Sequence, residues 1–539
     1  MNRRDFLGSL ALAPTALAAQ NTKRRKPNFL VILADDMGYS DARCYGGDID
    51  TPHIDSLASG GLRFTQGYST ARCGPSRSCI MTGHYAQETA CDVMTRGNIP
   101  EWTRYFPQYM KPLGYRAYHS GKWHIRFHPV ATTGFDHSYT LLDQNRFFTP
   151  TAHLLDDQPL PRPKLSDGFY GTKAIGEHAV NFLKEHARDH KDDPFFFYLA
   201  FTSPHFPLHA LQEDIAEYKD RFAEGWDVTR ARHHKRMREM GLINCELSKL
   251  EPGIFPPWNT PAQDQLARFG PGEVPTAVPW ATLTREQKEF QRTKMAIHAA
   301  MITRMDREIG RVLAQLKAMD AYNDTLILFL SDNGASAEIM IRADGHDPNA
   351  LPGSAASHLC LGPGWSSASN TPFRMHKSWV HEGGIASPWI AHWPNGIQDK
   401  GKLRHTPCHF VDLVPTMVEV GGGNPATAHD GGSPPLAGKS IAPALARNRG
   451  IEREFLYFNH NNNRAFRQKD WKIVAAGENG PWELYNLAND RGEQKNLIQT
   501  EPKRAAAMAE LWKKTDSQFT AVREAAPPTP HKPMRPMGG

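Results

Sequence analysis

Three stretches of this chain are unbroken apolar runs, and each stops at a polar cluster. They are NFLVILA (28–34), FFFYLAF (195–201) and TLILFL (325–330), with a weaker fourth at GYRAYH (114–119). A strand with one wet face alternates polar and apolar residues, so a run without polar positions reads as a strand covered on both sides. Between the runs, apolar residues recur at steps of three and four. GTKAIGEHAVNFLKEHA sets Ala174, Ile175, Ala179, Phe182 and Leu183 on one helical face, and a longer segment opens with a capping box, Thr284 and Gln287. Alternating strands and helices predict an α/β protein: a large, mostly parallel or mixed sheet sandwiched by helices.

In such sheets, ligands bind beyond the carboxyl ends of the strands. The first run leads into Asp35-Asp36 and the last into Ser331-Asp332-Asn333. The second is followed by TSPHFPLH, with His205, and the weak one by SGKWH, with Lys122 and His124. Four strand ends bearing acids, amide, lysine and histidine predict one shared site. Asp35, Asp36, Asp332 and Asn333 offer only oxygens, and three converging carboxylates call for a cation. An oxygen-only set suits Ca²⁺ or Mg²⁺ rather than zinc. Taken singly, either acidic cluster also reads as a strand-end cap or an Asn-Gly turn.

A cysteine stands at odds with that chemistry. In ARCGPSRSCIMTG (71–83), Pro75, Ser76, Ser78 and Thr82 predict a helix whose mouth holds Cys73, where backbone N–H groups favour anions. The seven cysteines are too scattered for a disulfide framework, although one or two bridges are compatible with an exported protein, and an odd number leaves one thiol without an internal partner. Thiolates are soft ligands, whereas Ca²⁺ and Mg²⁺ prefer oxygen. If Cys73 belongs beside the carboxylates, its chemistry must change.

The stretch C-G-P-S-R followed by Thr82-Gly83 resembles the type I sulfatase motif, within the alkaline phosphatase superfamily. NFLVILADDMGYSD, GKWH, SPHFP, SDNG and TPFRMHKSWVHEGGIASPWIAHWP are similar to further segments of that family, and WKIV and ELYNL to its C-terminal subdomain. The resemblance implies an alkaline-phosphatase-like sheet and sulfuric ester hydrolysis. It also implies that a maturation enzyme converts Cys73 to formylglycine (3-oxoalanine), whose hydrated gem-diol supplies hydroxyl oxygens in place of sulfur. Asp35, Asp36, Asp332 and Asn333, with converted Cys73, would then hold calcium, or magnesium in its place. Arg77 would orient the formylglycine, while Lys122, His124, His205 and Lys377 surround the sulfate and its leaving oxygen. In that scheme His205 serves as acid, with Lys377 as a second candidate for that role, and His124 as the base that restores the aldehyde. Each of these five side chains has a plain structural reading when taken alone: a packed histidine, a turn, surface lysines or a helix-face arginine.

The Cys-x-Pro-x-Arg core also occurs in phosphonate monoester and phosphodiester hydrolases, which leaves that activity as the alternative. A noncatalytic binder of sulfated glycans is the remaining one, supported by the basic stretch RARHHKRMREM (230–240), which reads equally as a solvated helix face. A net charge of +6 over 539 residues is too dilute to indicate nucleic acid. The opening MNRRDFLGSLALAPTALAAQ reads as a twin-arginine-type signal peptide over 1–20, which predicts export to the periplasm or beyond without stable membrane insertion. A catalytic domain is expected over 24–447, an α+β subdomain with a small antiparallel sheet and a helix over 448–524, and a loose tail over 525–539. The substrate is expected to be a sulfated small molecule or glycan. Loops 221–280 and 335–370, with Trp226, Trp258, Trp280, Arg342, His346 and Trp365, are expected to shape the leaving-group pocket, where the tryptophans read equally as stacking platforms for a sugar or aryl ring and as packing.

Overall fold

Every residue of β1 (Asn28–Ala34) after the first is buried, and its side chains feed two cores. Leu30, Ile32 and Ala34 enter one hydrophobic cluster, and Phe29, Val31 and Leu33 the other. This follows from the period-two alternation of a strand covered on both faces. The computed structural model describes residues 26–92, 97–429 and 432–531, so the signal peptide expected at 1–20 lies outside the described residues.

The main sheet has eleven strands. The others are β2 (Leu62–Tyr68), β3 (Arg116–Gly121), β4 (His137–Leu141), β5 (His153–Leu155), β6 (Gln158–Pro159), β7 (Phe195–Ala200), β8 (Thr325–Ser331), β9 (Ala386–His392), β10 (Lys402–Arg404) and β11 (Cys408–His409). Ten run in the order β10-β2-β9-β8-β1-β7-β3-β4-β5-β6, and β11 pairs with β2. The centre β8-β1-β7-β3-β4 is parallel, while β9 runs antiparallel to both neighbours, β2 and β8.

Helices Gly171–Asp189 and Arg285–Ala318 cover one face, and Cys73–Thr82 and Leu413–Val420 the other. Ile175, Ala179, Phe182 and Leu183 are buried as their spacing predicts, with Ala174 partly covered by the same core. The capping box forms: Gln287 N donates to Thr284 Oγ1 at 3.2 Å, and Thr284 N donates to Gln287 Oε1 at 3.0 Å.

A second, antiparallel sheet joins β12 (Leu456–His460), β13 (Asn463–Gln468), β14 (Trp471–Ala475) and β15 (Glu483–Asn486) in that order, followed by helix Pro502–Glu524. Tyr457, Phe466, Ile473, Leu484 and Met508 pack it onto the second core. Buried charges reinforce the contact, since Glu382 accepts from Lys472 at 3.0 Å and from Arg491 at 3.0 and 3.1 Å. Residues 527–531, in the stretch expected to be a loose tail, run beside 99–101. Glu101 N donates to Pro527 O at 2.9 Å and Thr529 N to Ile99 O at 2.8 Å. Among the described residues, none of the seven cysteine positions is joined to another by a disulfide. Among the described residues, no helix is long and apolar enough to cross a membrane.

Candidate active site

The four strands whose ends carry the polar motifs are consecutive in the sheet: β8, β1, β7 and β3. In register, Ala34 lies beside Ser331, and Ala200 beside both Leu33 and Gly121. Parallel pairing therefore delivers Asp35, Asp332 and Lys122 at one edge of the sheet, with His205 on the loop leaving β7. Asp36 and His124 have positive φ, 67° and 56°, as do nearby Ala71, Met375 and Ser378 at 68°, 65° and 83°. For residues other than glycine this left-handed backbone costs about 1–3 kcal/mol each, strain typical of functional sites.

Cys73 is the first residue of helix Cys73–Thr82 and is 3% exposed. Ser76 braces the preceding loop, its Oγ accepting from Thr70 N at 3.0 Å. Gly83 ends the helix in the left-handed region, φ 73°, its N–H donating to Cys79 O. A Cβ at Gly83 would also meet Val414 Cβ and Leu436 Cδ2 at 2.9 Å, so the glycine serves both turn and packing. A Cβ built on Gly74 would stand 4.0 Å from His124 Cε1 and Nε2, which places that imidazole beside the helix mouth. His124 itself opens to solvent.

Arg77 is fully buried and spans the site. Its Nε and Nη2 donate to Asp332 Oδ2 at 3.0 and 2.7 Å, its Nη1 donates to Lys122 O at 2.7 Å, and Nη2 lies 3.6 Å from Asp35 Oδ2. Lys122 Nζ donates to Asp35 Oδ2 at 2.6 Å and Lys377 Nζ to Asp36 Oδ2 at 2.7 Å. Asp36 N donates to Asp332 Oδ1 at 3.2 Å, and Asn333 Nδ2 to Asp36 Oδ1 at 2.7 Å. Burial raises the carboxyl pKa of Asp35, Asp36 and Asp332, and the acids' mutual repulsion adds to it, against the lowering effect of Lys122, Lys377 and Arg77. For Lys377, burial would lower the ammonium, but Asp36 and Glu338 outweigh it and push it up.

His205 is 2% exposed. Burial holds its imidazole well below the ordinary range, and Lys377, Lys122 and Arg342 lower it further. Its Nδ1 hydrogen-bonds the Phe206 carbonyl, so Nδ1 carries the proton and Nε2 is left facing Asp36 Oδ2, 3.7 Å away. All ten side chains named from the sequence thus gather at one end of the sheet. Cys73 also lies within electrostatic range of Asp332, Arg77 and Lys377.

The donor set fits a hard cation. Among the described residues, Asp35 Oδ1 and Asn333 Oδ1 are buried without any hydrogen-bond partner. Two orphaned oxygens amid three carboxylates are costly unless something positive satisfies them. Asp35, Asp36 and His205 each offer a ligand atom, all within 4.8 Å of one another. His205 was expected only as an acid, so its place beside the two aspartates is new.

Several expectations about the surrounding loops change. Trp226, Trp280 and Trp365 do not line a pocket; they pack on one another in the core, ring centroids 4.8–5.7 Å apart. His346 Nδ1 accepts from His358 N at 2.9 Å. The basic stretch 230–240 is divided: Lys235 and Arg238 lie on a solvated helix face, and other basic residues pair within the protein. Arg232 and Arg236 reach Asp48 at 2.6 and 2.5 Å, His233 reaches it at 3.2 Å, and Arg230 donates to Ser248 O at 2.7 Å.

Sequence reasoning missed Glu338, 2% exposed. It accepts from Trp258 Nε1 at 2.7 Å, Ser336 Oγ at 2.9 Å and Arg72 Nη1 at 3.2 Å, and its Oε2 lies 3.5 Å from Lys377 Nζ. Burial alone would raise its carboxyl; Arg72, Lys377 and Arg342 override that and hold it far down. The available signal was a lone acid within the apolar ASAEIMI (335–341), a position that demands a cation.

Comparison with known proteins identifies the family and the fold. A family model described as Sulfatase matches residues 27–423. An uncharacterized sulfatase of Schizosaccharomyces pombe is 29% identical, over 92% of this chain and 94% of its own. An arylsulfatase of Klebsiella aerogenes is 30% identical, over 81% of this chain and 93% of its own. The crystal structure of Ps i-CgsB in complex with k-i-k-neocarrahexaose has the same fold, with a TM-score of 0.65 at 24% identity, covering 92% of this chain and 94% of that one. With the family match spanning most of its length, this chain belongs to the sulfatase family and is a sulfuric ester hydrolase.

Proposed function

We propose that the protein is an exported sulfatase that removes sulfate from a sulfated carbohydrate, using an oxygen nucleophile made from Cys73 beside a divalent cation. The observation that carries this reading is the conjunction of Cys73 at a helix mouth, Arg77 forked onto Asp332, and two orphaned oxygens on Asp35 and Asn333. Asp35, Asp36, Asp332 and Asn333 would hold calcium, or magnesium, which supplies positive charge against the ester's sulfate oxygens. Formylglycine at position 73, made by a maturation enzyme, would supply in hydrated form the hydroxyl that attacks sulfur; Asp332 takes that hydroxyl's proton as the bond from sulfur to the ester oxygen breaks.

The chain's own groups do the rest. Arg77, fixed by Asp332 and the Lys122 carbonyl, holds residue 73 in line with the ester. Lys122 and Lys377 bring two ammonium groups to the sulfate oxygens and offset the charge that builds on them. His205 donates a proton to the leaving oxygen through Nε2, the nitrogen its Phe206 contact leaves available. The anionic ester draws that imidazole toward its charged form, offsetting burial. His124, open to solvent beside Gly74, takes the proton whose removal expels sulfate and restores the aldehyde.

A carbohydrate substrate is favoured by Ps i-CgsB, whose complex holds a carbohydrate, and export by the paired Arg3 and Arg4 ahead of a short apolar run. The test compares sulfate and phosphate release from matched nitrophenyl esters by purified mature protein. Faster turnover of the sulfate ester is expected; faster turnover of the phosphate or phosphonate ester would overturn the assignment.

A further inference from the structure

Two arginines flank the site without a part in the reaction above. Arg72 precedes Cys73, and its Nη1 donates to Glu338 Oε1 at 3.2 Å and to Ser378 Oγ at 2.8 Å. Its guanidinium carbon lies 5.5 Å from the centre of the Trp258 ring. Arg342 approaches the same carboxylate oxygen, Nη2 lying 3.9 Å from Glu338 Oε1, and sits 5.0 Å over the Phe206 ring. Phe206 stacks on His205 at 4.4 Å and has Lys377 Nζ 5.7 Å from its centre. Arg342 is therefore one aromatic ring away from the groups that handle the leaving oxygen.

The charges around Glu338 do not balance. Lys377 is matched by Asp36 at 2.7 Å, which leaves one carboxylate for two guanidiniums. Glu338 also receives Trp258 and Ser336, so its oxygens are well occupied. Arg342's contact with it is too long for a hydrogen bond. Among the described residues, its hydrogen bonding is limited to Nε donating to Met340 Sδ at 3.1 Å. The Arg342 side chain is 20% exposed and that of Arg72 18%, so both reach solvent at the rim. Beside the same Phe206 ring, at 6.3 Å, is His358, 3% exposed, whose Nε2 also lacks a hydrogen-bond partner. A guanidinium backed by an aromatic face offers its edge as a planar fork, which suits carboxylate and sulfate oxygens.

We propose that Arg342, seconded by Arg72, forms a second anion subsite that selects sulfate esters bearing another negative group next to the scissile one. This rests on the sulfatase reading and narrows it: the substrate is an acidic or multiply sulfated carbohydrate, with a carboxylate or a second sulfate within reach of Arg342. The subsite acts on specificity, since Arg342 touches neither Cys73 nor the carboxylates that would hold the cation.

The test uses the mature protein and phenyl sulfates substituted, at the meta and para positions, with carboxylate, sulfonate or carboxamide. The carboxamide is the most electron-withdrawing of the uncharged and carboxylate pair, so leaving-group chemistry alone favours the neutral ester over the carboxylate. The account expects at least one anionic ester to exceed the carboxamide by about tenfold or more in kcat/KM at low salt, a ratio that shrinks with added salt. In Arg342→Gln the ratio should fall toward one, and Arg342→Lys, which keeps the charge without the fork, should retain part of it. A gain with carboxylate alone identifies a uronate-type group, and a gain that includes sulfonate identifies a second sulfate. Equal or lower rates for both anionic esters, or a ratio unmoved in Arg342→Gln, would overturn the subsite while leaving the sulfatase reading intact. No turnover of any of the three esters, in protein that also releases no sulfate from sulfated oligosaccharides, would overturn both.

Discussion

Arg77 donates to a single oxygen of Asp332 through both Nε and Nη2, and both side chains are fully buried. That pair links the helix carrying Cys73 to the end of β8. Breaking a buried pair by removing one partner typically costs about 3–5 kcal/mol, because the other charge is left uncompensated. Arg77→Met should lose stability on that scale in urea unfolding. Arg77→Lys should fold better, yet lose about a hundredfold or more in kcat, since one ammonium cannot reach Asp332 and the Lys122 carbonyl together. Near-normal activity in Arg77→Lys would show that the fork is not needed.

The orphaned oxygens of Asp35 and Asn333 make a stability prediction separate from catalysis. After chelation, added calcium or magnesium should raise the melting temperature by a few degrees, since a ligand at a hundred times its Kd stabilises by about 2.7 kcal/mol. Asp35→Asn and Asn333→Ala should shrink that rise. Equal melting curves with and without cation would contradict the metal assignment.

His205 is pinned through Nδ1 to the Phe206 carbonyl, and the proposed mechanism uses the other nitrogen, Nε2, as acid for the leaving oxygen. His205→Ala should therefore slow esters with poor leaving groups, such as alkyl or sugar sulfates, at least tenfold more than nitrophenyl sulfate. Equal losses across the series would remove this role.

Asp306 gives a pH prediction away from the site. On helix Arg285–Ala318 it accepts Ile54 N at 2.8 Å and His53 N at 3.1 Å at the start of helix Pro52–Ser59. These contacts lower its carboxyl pKa, but burial prevails and pushes it up to about 7. The folded state thus binds a proton more tightly than the unfolded one. Stability from this group should be full below pH ~4, fall as pH rises toward 7, and level off above, a loss on the order of 2–4 kcal/mol. Asp306→Asn should flatten that slope in urea unfolding followed from pH 4 to 8. An unchanged slope would contradict the shift.

Strands covered on both faces were legible because nothing polar interrupts them, and β1 matches its apolar run residue for residue. β2 and β9 were not. LRFTQGY carries Arg63, Thr65 and Gln66 and shifts register between Phe64 and Gly67, while ASPWIAH is broken by Ser387 and Pro388. The antiparallel β9 between β2 and β8 depends on long-range pairing that neither stretch announces. Within the site, residues at strand ends and in short motifs could be named from the sequence. Glu338 could not be linked to Arg72 and Lys377, because those contacts join positions 266 and 39 residues apart. The tryptophans stayed open, since an aromatic in a loop segment reads alike whether it lines a pocket or, as for Trp226 and Trp365, fills a core.

The central claim is that position 73 carries an oxygen nucleophile where the gene encodes a thiol. Cleavage after Arg72 and Arg77 yields the peptide Cys73–Arg77, and its mass in active, mature protein tests this directly. The account predicts the aldehyde mass and reaction with a hydrazide. An unmodified thiol in protein that turns over sulfate esters would contradict it.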